Sequence, residues 1–380
     1  MSEIKCKQIK ILNINEFNVY SQKRNCYSKI ADFISASNAT NKKICIIHGL
    51  LGSGKTTLLQ QAAQEIMAKG YKCLYLACSD EYENMKTYRK NNNKYVLESS
   101  ELFTILDDAV KEKYDYICID EITLEKYFLE STFNVITNRY TKLGLKFIIT
   151  GSYSYCFTLL ADDLLENCAI RLSDITELIP TSPIPFTEYN YLLGKGTDDY
   201  IRFGGTLLKK SPYLNSLTAT EYINTAVIKN IIRAINGIEN SGKYAPTLWY
   251  SEEDIASAIQ QFLNTISQNF LYNILTANGI PNTFKQDKIC TAISEEDTEI
   301  IKKALESIGL LLSIPEASGQ EKTVQILSHP DMLYYYLTMQ LNLLSNTDIN
   351  FQQLGVKDKP SFISSIDQQI RNKLINIFTL

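Results

Sequence analysis

Gly49-Leu50-Leu51-Gly52-Ser53-Gly54-Lys55-Thr56 fits the phosphate-binding pattern G-x-x-x-x-G-K-[ST] at every fixed position. It follows a short apolar run, Ile44-Cys45-Ile46-Ile47-His48. After it, Leu58, Leu59, Ala62, Ala63, Ile66 and Met67 recur at helical spacing, with Gly70 where a C-terminal cap belongs. Strand, loop and helix in that order are the context the pattern needs. The glycines let the backbone curl so that successive N–H groups point inward at a phosphate, and the helix N-terminus adds partial positive charge. Lys55 is expected to bridge β- and γ-phosphates and the Thr56 hydroxyl to ligate Mg²⁺, with Gly49 to Gly54 and Thr57 completing the nucleotide-binding set.

The other half of such a site is an acidic residue at the tip of a neighbouring strand. Tyr116-Ile117-Cys118-Ile119-Asp120-Glu121 supplies it 65 residues after Lys55, with one strand candidate, Cys73 to Cys78, between. Asp120 is expected to hold Mg²⁺ through water, and Glu121 to orient or activate the water that attacks the γ-phosphate. The next apolar run, Phe147-Ile148-Ile149-Thr150, ends in Gly151-Ser152. Parallel strands aim their C-terminal ends at one crevice, so Ser152 or Thr150 is the candidate sensor of phosphate or water, with Ser152 preferred. Arg171, in Ala169-Ile170-Arg171-Leu172, is a candidate for the transition-state phosphate of its own or a neighbouring subunit.

Continuous apolar runs alternating with amphipathic stretches over residues 41–190 predict an α/β domain with a parallel sheet flanked by helices. Residues 1–40 read as a basic, helical lead-in, carrying six basic residues among them. Residues 80–99 are polar and asparagine-rich and read as a surface loop. Three prolines at 180, 183 and 185 are expected to stop regular structure and mark a boundary or rigid strap. Residues 191–380 read as mainly helical, with helices expected over 220–236, 251–277 and 294–308. Ser251 and Ser294 read as the N-caps of the last two, each followed by acidic residues. A hairpin over 310–327 then suggests a winged helix within 251–330.

Composition removes several alternatives. A 380-residue chain with 45% hydrophobic and 21% charged residues is globular, and no apolar run approaches the ~18 residues of a membrane span. Nine cysteines without a C-x-x-C pair read as reduced, cytosolic core residues, and two histidines, His48 and His329, leave no ordinary zinc site. The net charge of -4 gives no global pull toward nucleic acid.

In order, Gly-x-x-x-x-Gly-Lys-Thr-Thr, Ile-Asp-Glu (119–121), Ile-Ile-Thr-Gly-Ser (148–152), Pro-Ile-Pro-Phe-Thr-Glu-Tyr (183–189) and Tyr-Ile-Arg-Phe-Gly-Gly (200–205) resemble a known family. It is the prokaryotic AAA-type ATPases that pair an ATPase core with a C-terminal domain of unknown function. The resemblance covers roughly 40–210. It implies a P-loop NTPase fold, ATP with Mg²⁺ as ligands, and the roles given above for Gly49, Gly54, Lys55, Thr56, Asp120, Glu121 and Ser152. Two motifs depart from it. Ile170 stands where the family has glycine before the arginine, and Ile184-Pro185 stand where it has Leu-Ser. The family's C-terminal part is a winged-helix-like region followed by a nuclease-like fold. Residues 363–374 could correspond only to the opening of that fold, so the expectation is a shortened or truncated member without nuclease activity.

Two functions compete. One is a Mg²⁺-dependent ATPase acting as an energy-coupled switch on its C-terminal region, as a monomer or homo-oligomer with a protein or DNA partner. The other is an ATP-gated DNA-binding protein. Residues 251–310 hold four lysines against nine acids, a poor match to a phosphate backbone. A metabolite kinase fits less well, because no arginine-rich lid is visible and Glu121 beside Asp120 favours water as nucleophile.

Overall fold

The computed structural model describes residues 9–17, 20–36, 41–50, 52–78, 101–124, 132–152, 171–181, 184–203, 251–279, 294–307, 309–315, 323–328, 330–345 and 357–379. It also describes positions 154, 157, 160 and 232. The chain divides into two compact units, with the principal boundary after Thr181.

The first unit is built on a six-stranded sheet. Its strands are β1 (Ile9–Leu12), β2 (Ile44–His48), β3 (Cys73–Cys78), β4 (Tyr116–Asp120), β5 (Lys146–Gly151) and β6 (Thr176–Pro180), in the order β1-β3-β4-β5-β2-β6. All pairs are parallel except β1 with β3. The helices α1 (Tyr27–Ser35), α2 (Lys55–Ala68) and α3 (Glu101–Lys111) flank it.

The four apolar runs form strands because both faces of the sheet are covered. Along β2, Ile44 and Ile46 enter one core and Cys45 and Ile47 the other. A parallel strand with helices on both sides has no wet face, which is why its sequence is a continuous apolar run. Leu58, Leu59, Ala62, Ala63 and Ile66 of α2 are buried in the second core. Beyond the helix, Gly70 at φ 83 and Tyr71 return hydrogen bonds to Met67 and Ile66, the Schellman closure expected of a glycine there.

Two strands depart from the sequence reading. The lead-in contributes β1 as well as α1. Its burial is confined to Ile9, so its alternation carries little hydrophobic signal. The proline-rich stretch was expected to break structure, yet β6 runs through Pro180. It is the outermost strand beside β2, and Pro180 is its last residue, where a missing N–H costs no ladder bond. Phe17, Tyr20, Gln22, Lys23 and Tyr27 are tied onto α2. Gln61 donates to the carbonyls of Tyr20 and Gln22, Gln64 donates to that of Phe17, and Glu65 accepts from Lys23 and the Tyr27 hydroxyl.

The second unit is mainly helical. It contains α4 (Phe186–Leu193), α5 (Thr197–Phe203), α6 (Glu252–Ala277), α7 (Glu295–Ser307), α8 (Pro330–Ser345) and α9 (Lys359–Thr379). Ser251 caps α6 in a reciprocal box with Asp254, as its sequence predicts. After α7 comes the expected hairpin, β7 (Leu311–Pro315) antiparallel to β8 (Thr323–Leu327). Residues 363–374 lie inside α9, which packs on α6 and α8. Arg371 of α9 binds Asp367, Asp198 of α5 and the Tyr334 hydroxyl of α8. The architecture is thus an α/β P-loop NTPase fold followed by a mainly helical region. The surface loop expected at 80–99, and all of the helix expected at 220–236 but position 232, lie outside the described residues. Among the described residues no helix is long and apolar enough to cross a membrane.

Candidate active site

β2 delivers the chain directly into the loop at Gly49. Gly52 and Gly54 take φ of 82 and 86, left-handed values that side chains resist, and the Ser53 N–H donates to the Leu50 carbonyl across the tight turn. α2 starts at Lys55, with Thr56 and Thr57 in its first turn. Leu51 lies outside the described residues.

Lys55 is only 3% exposed, folded back so that Nζ donates to the Gly49 carbonyl at 3.0 Å and lies 3.6 Å from Glu121 Oε1. A buried ammonium held by a carbonyl and a carboxylate is poised to exchange those partners for phosphate oxygens.

Asp120 ends β4, beside β5, whose polar tip Thr150 reaches it. Asp120 Oδ1 accepts from Thr150 Oγ1 at 2.6 Å and from Thr56 Oγ1 at 3.1 Å. Burial, together with the neighbouring Glu121 charge, raises its carboxyl above the usual range. The Thr150 and Thr56 hydrogen bonds and the Lys55 cation oppose that rise. Donating its proton to Asp120 leaves the Thr56 oxygen with lone pairs for a cation.

Glu121 sits at φ 52, in the left-handed region. Its N–H donates to Thr150 Oγ1 at 2.9 Å, so one threonine organises both acids. Its carboxylate is gripped by Ser152, whose hydroxyl donates to Oε1 at 2.8 Å and whose N–H donates to Oε2 at 3.1 Å. Lys55, Thr56, Asp120, Glu121 and Ser152 therefore converge, and Thr150 joins them as the anchor of Asp120.

Arg171 does not. It is exposed and precedes a short turn, Leu172–Ile175, that leads into β6. Ile175 accepts from the Lys43 N–H, and Thr176 pairs with Ile44. Those residues begin their strands, whereas the loop follows the far end of β2. At about 3.3 Å per residue, a strand length separates Arg171 from the loop, so it cannot serve its own chain's phosphates.

Two contributors escaped the sequence reading. Thr181 donates N–H and Oγ1 to the His48 carbonyl at 2.7 and 2.9 Å, pinning the entrance of the loop. His48 itself is buried, with Nδ1 2.5 Å from Ser154 Oγ. Burial and the Lys55 cation lower its pKa to about 4. A polar residue ending an apolar strand just before the loop is the signal that could have marked His48.

A hydroxyl paired with a carboxylate is oxygen chemistry that suits Mg²⁺, which takes one or two protein ligands and completes its shell with water and phosphate. Among the described residues no group of three or more His, Cys, Asp or Glu is placed to hold a metal. The paired Thr56 hydroxyl and Asp120 carboxylate fit Mg²⁺ held jointly with a nucleotide.

Residues 41–190 match the model of the AAA domain. Among solved structures, the chain is similar to the Aeropyrum pernix ORC2 protein in ADPNP–ADP complexes. That likeness has 11% identity over 87% of this chain and 98% of that one, with a TM-score of 0.40. AMPPCP-bound DnaA from Aquifex aeolicus is similar at 13% identity over 95% and 97%, with a TM-score of 0.28. Cdc6p from Pyrobaculum aerophilum is similar at 11% over 87% and 99%, with a TM-score of 0.32. No curated protein matches the chain.

Proposed function

Residues 41–190 are an AAA-type P-loop domain, and from that premise we propose that the chain binds ATP with Mg²⁺ and hydrolyses its terminal phosphoanhydride, the cycle acting as a switch on the helical C-terminal region. The observation that carries this reading is the convergence of Lys55, Thr56, Asp120, Glu121 and Ser152 within one hydrogen-bonded cluster.

Gly49 to Thr57 bind the phosphates through backbone N–H groups, and Lys55 leaves the Gly49 carbonyl to meet the β- and γ-oxygens. Thr56 and Asp120 would hold Mg²⁺, which when bound would offset the charge that gathers on the phosphate oxygens. Glu121 takes a proton from the attacking water as its oxygen joins the γ-phosphorus and the bond to the β-phosphate oxygen breaks. Ser152 fixes the Glu121 carboxylate and senses its state. Arg171, exposed at the opposite end of the sheet, acts on phosphate only across to a second copy of the chain. The acidic balance of 251–310 favours a protein over DNA as the partner of the switch.

Steady-state hydrolysis and nucleotide binding by purified variants test the reading. Glu121→Gln is expected to keep ATP affinity and lose at least ~100-fold in kcat, while Lys55→Ala loses binding. Unchanged turnover in Glu121→Gln removes Glu121 from the chemistry. Turnover stimulated by double-stranded DNA would overturn the preference for a protein partner.

A further inference from the structure

Tyr75 is 1% exposed, and its hydroxyl has no hydrogen-bond partner among the described residues. A buried donor left unpaired carries a desolvation cost that phenylalanine would avoid, so the hydroxyl calls for a use. The sheet register shows what it faces. Tyr75 pairs with Cys118 and Ala77 with Asp120, on parallel neighbouring strands. Alternate residues share a face, and Tyr75 and Cys118 lie in the same core, so Tyr75 stands one diagonal step from Asp120. The small Ala77 side chain, next on the same face of β3, stands opposite Asp120.

The carboxylate has matching capacity. Asp120 Oδ1 accepts both threonine hydroxyls, and Oδ2 accepts no hydrogen bond among the described residues. Burial first, then the Asp120 charge, holds the phenol well above its usual range, so it stays a neutral donor. The ring is fixed from behind by Phe17, edge-on with centroids 4.7 Å apart, and Gln64 of α2 holds the Phe17 carbonyl.

We propose that Tyr75 is a positioning residue of the metal site: its hydroxyl, unpaired here, closes onto Asp120 Oδ2 when nucleotide and metal bind and fixes the carboxylate plane while Oδ1 stays with Thr56 and Thr150. The inference rests on the nucleotide reading above. It extends the site by a third layer, from the lead-in through Phe17 and Tyr75 to Asp120.

Tyr75→Phe keeps the ring and its contact with Phe17. The affinity of the full chain for a fluorescent ATP analogue is measured in EDTA and in Mn²⁺, and Mn²⁺ retention is read by electron paramagnetic resonance. Tyr75→Phe is expected to match wild type in EDTA and to bind Mn²⁺ in the nucleotide complex about tenfold more weakly. In an Asp120→Asn background the same change is expected to add nothing. Equal Mn²⁺ affinity in Tyr75→Phe and wild type overturns the proposal. So does a loss of the same size in EDTA, or in the Asp120→Asn background. Wild type that binds nucleotide in neither condition overturns the underlying reading and the inference together. Where Tyr75→Phe does not fold, 3-fluorotyrosine placed at position 75 replaces it. Its ¹⁹F resonance is expected to move on adding Mg²⁺ and ATP, and to stay still in Asp120→Asn; no movement in either overturns the proposal.

Discussion

Ser152 holds Glu121 by both carboxylate oxygens, its hydroxyl on Oε1 at 2.8 Å and its backbone N–H on Oε2 at 3.1 Å. One residue at the tip of β5 thereby fixes the plane of the acid that follows β4. The Lys55 ammonium, 3.6 Å from Oε1, lies on the same oxygen, so lysine, glutamate and serine form a single electrostatic unit.

Ser152→Ala removes one of the two grips and leaves the other. The carboxylate then turns more freely, and kcat for ATP is expected to fall on the order of tenfold with KM within about twofold. Steady-state kinetics check this. A rise in KM with kcat unchanged would place Ser152 in ground-state binding and not in the orientation of Glu121.

Gly49→Ala is expected to destabilise the first unit by more than about 3 kcal/mol and to abolish nucleotide binding. An added Cβ would lie 2.3 Å from Thr181 Oγ1 and 2.5 Å from the Thr181 carbonyl oxygen. The carbonyl is backbone and cannot rotate away as a side chain can. Denaturant melts and ATP titration together check both effects, and a native midpoint would show that the 181 segment yields at little cost.

His48 makes stability depend on pH with a definite sign. Its folded pKa of about 4 lies below the ordinary 6.5, so the unfolded chain takes up a proton that the folded chain refuses. The folded state keeps this contribution above pH 6.5 and loses it as pH falls from 6.5 toward 4, by about 3 kcal/mol in all. Urea unfolding of wild type and His48→Gln across that window is expected to show a shallower decline in the variant.

The central sheet was legible because its strands are covered on both faces and so read as unbroken apolar runs. The convergence of the loop, Asp120 and Glu121 was legible because G-x-x-x-x-G-K-[ST] after a strand and two acids at the end of a parallel strand are fixed residue types at strand ends that one crevice gathers. β1 was not, since an edge strand that buries only Ile9 has no hydrophobic period to read. β6 was hidden behind Pro180, whose breaking tendency counts for little at the end of an outer strand. Arg171 was misjudged for its own chain because linear order says nothing about which end of the sheet a residue reaches. Thr181 and Tyr75 act through positions that only the folded register brings near the loop and Asp120.

Glu121 occupies a left-handed backbone position at φ 52 that glycine or asparagine would fill with less strain, on the order of 1 kcal/mol. Thermal robustness and turnover thus pull this one codon in opposite directions. A library selected for heat resistance alone should drift here toward glycine and yield sturdier, inert proteins. A library required to turn over substrate should keep the glutamate and accumulate its stabilising changes elsewhere.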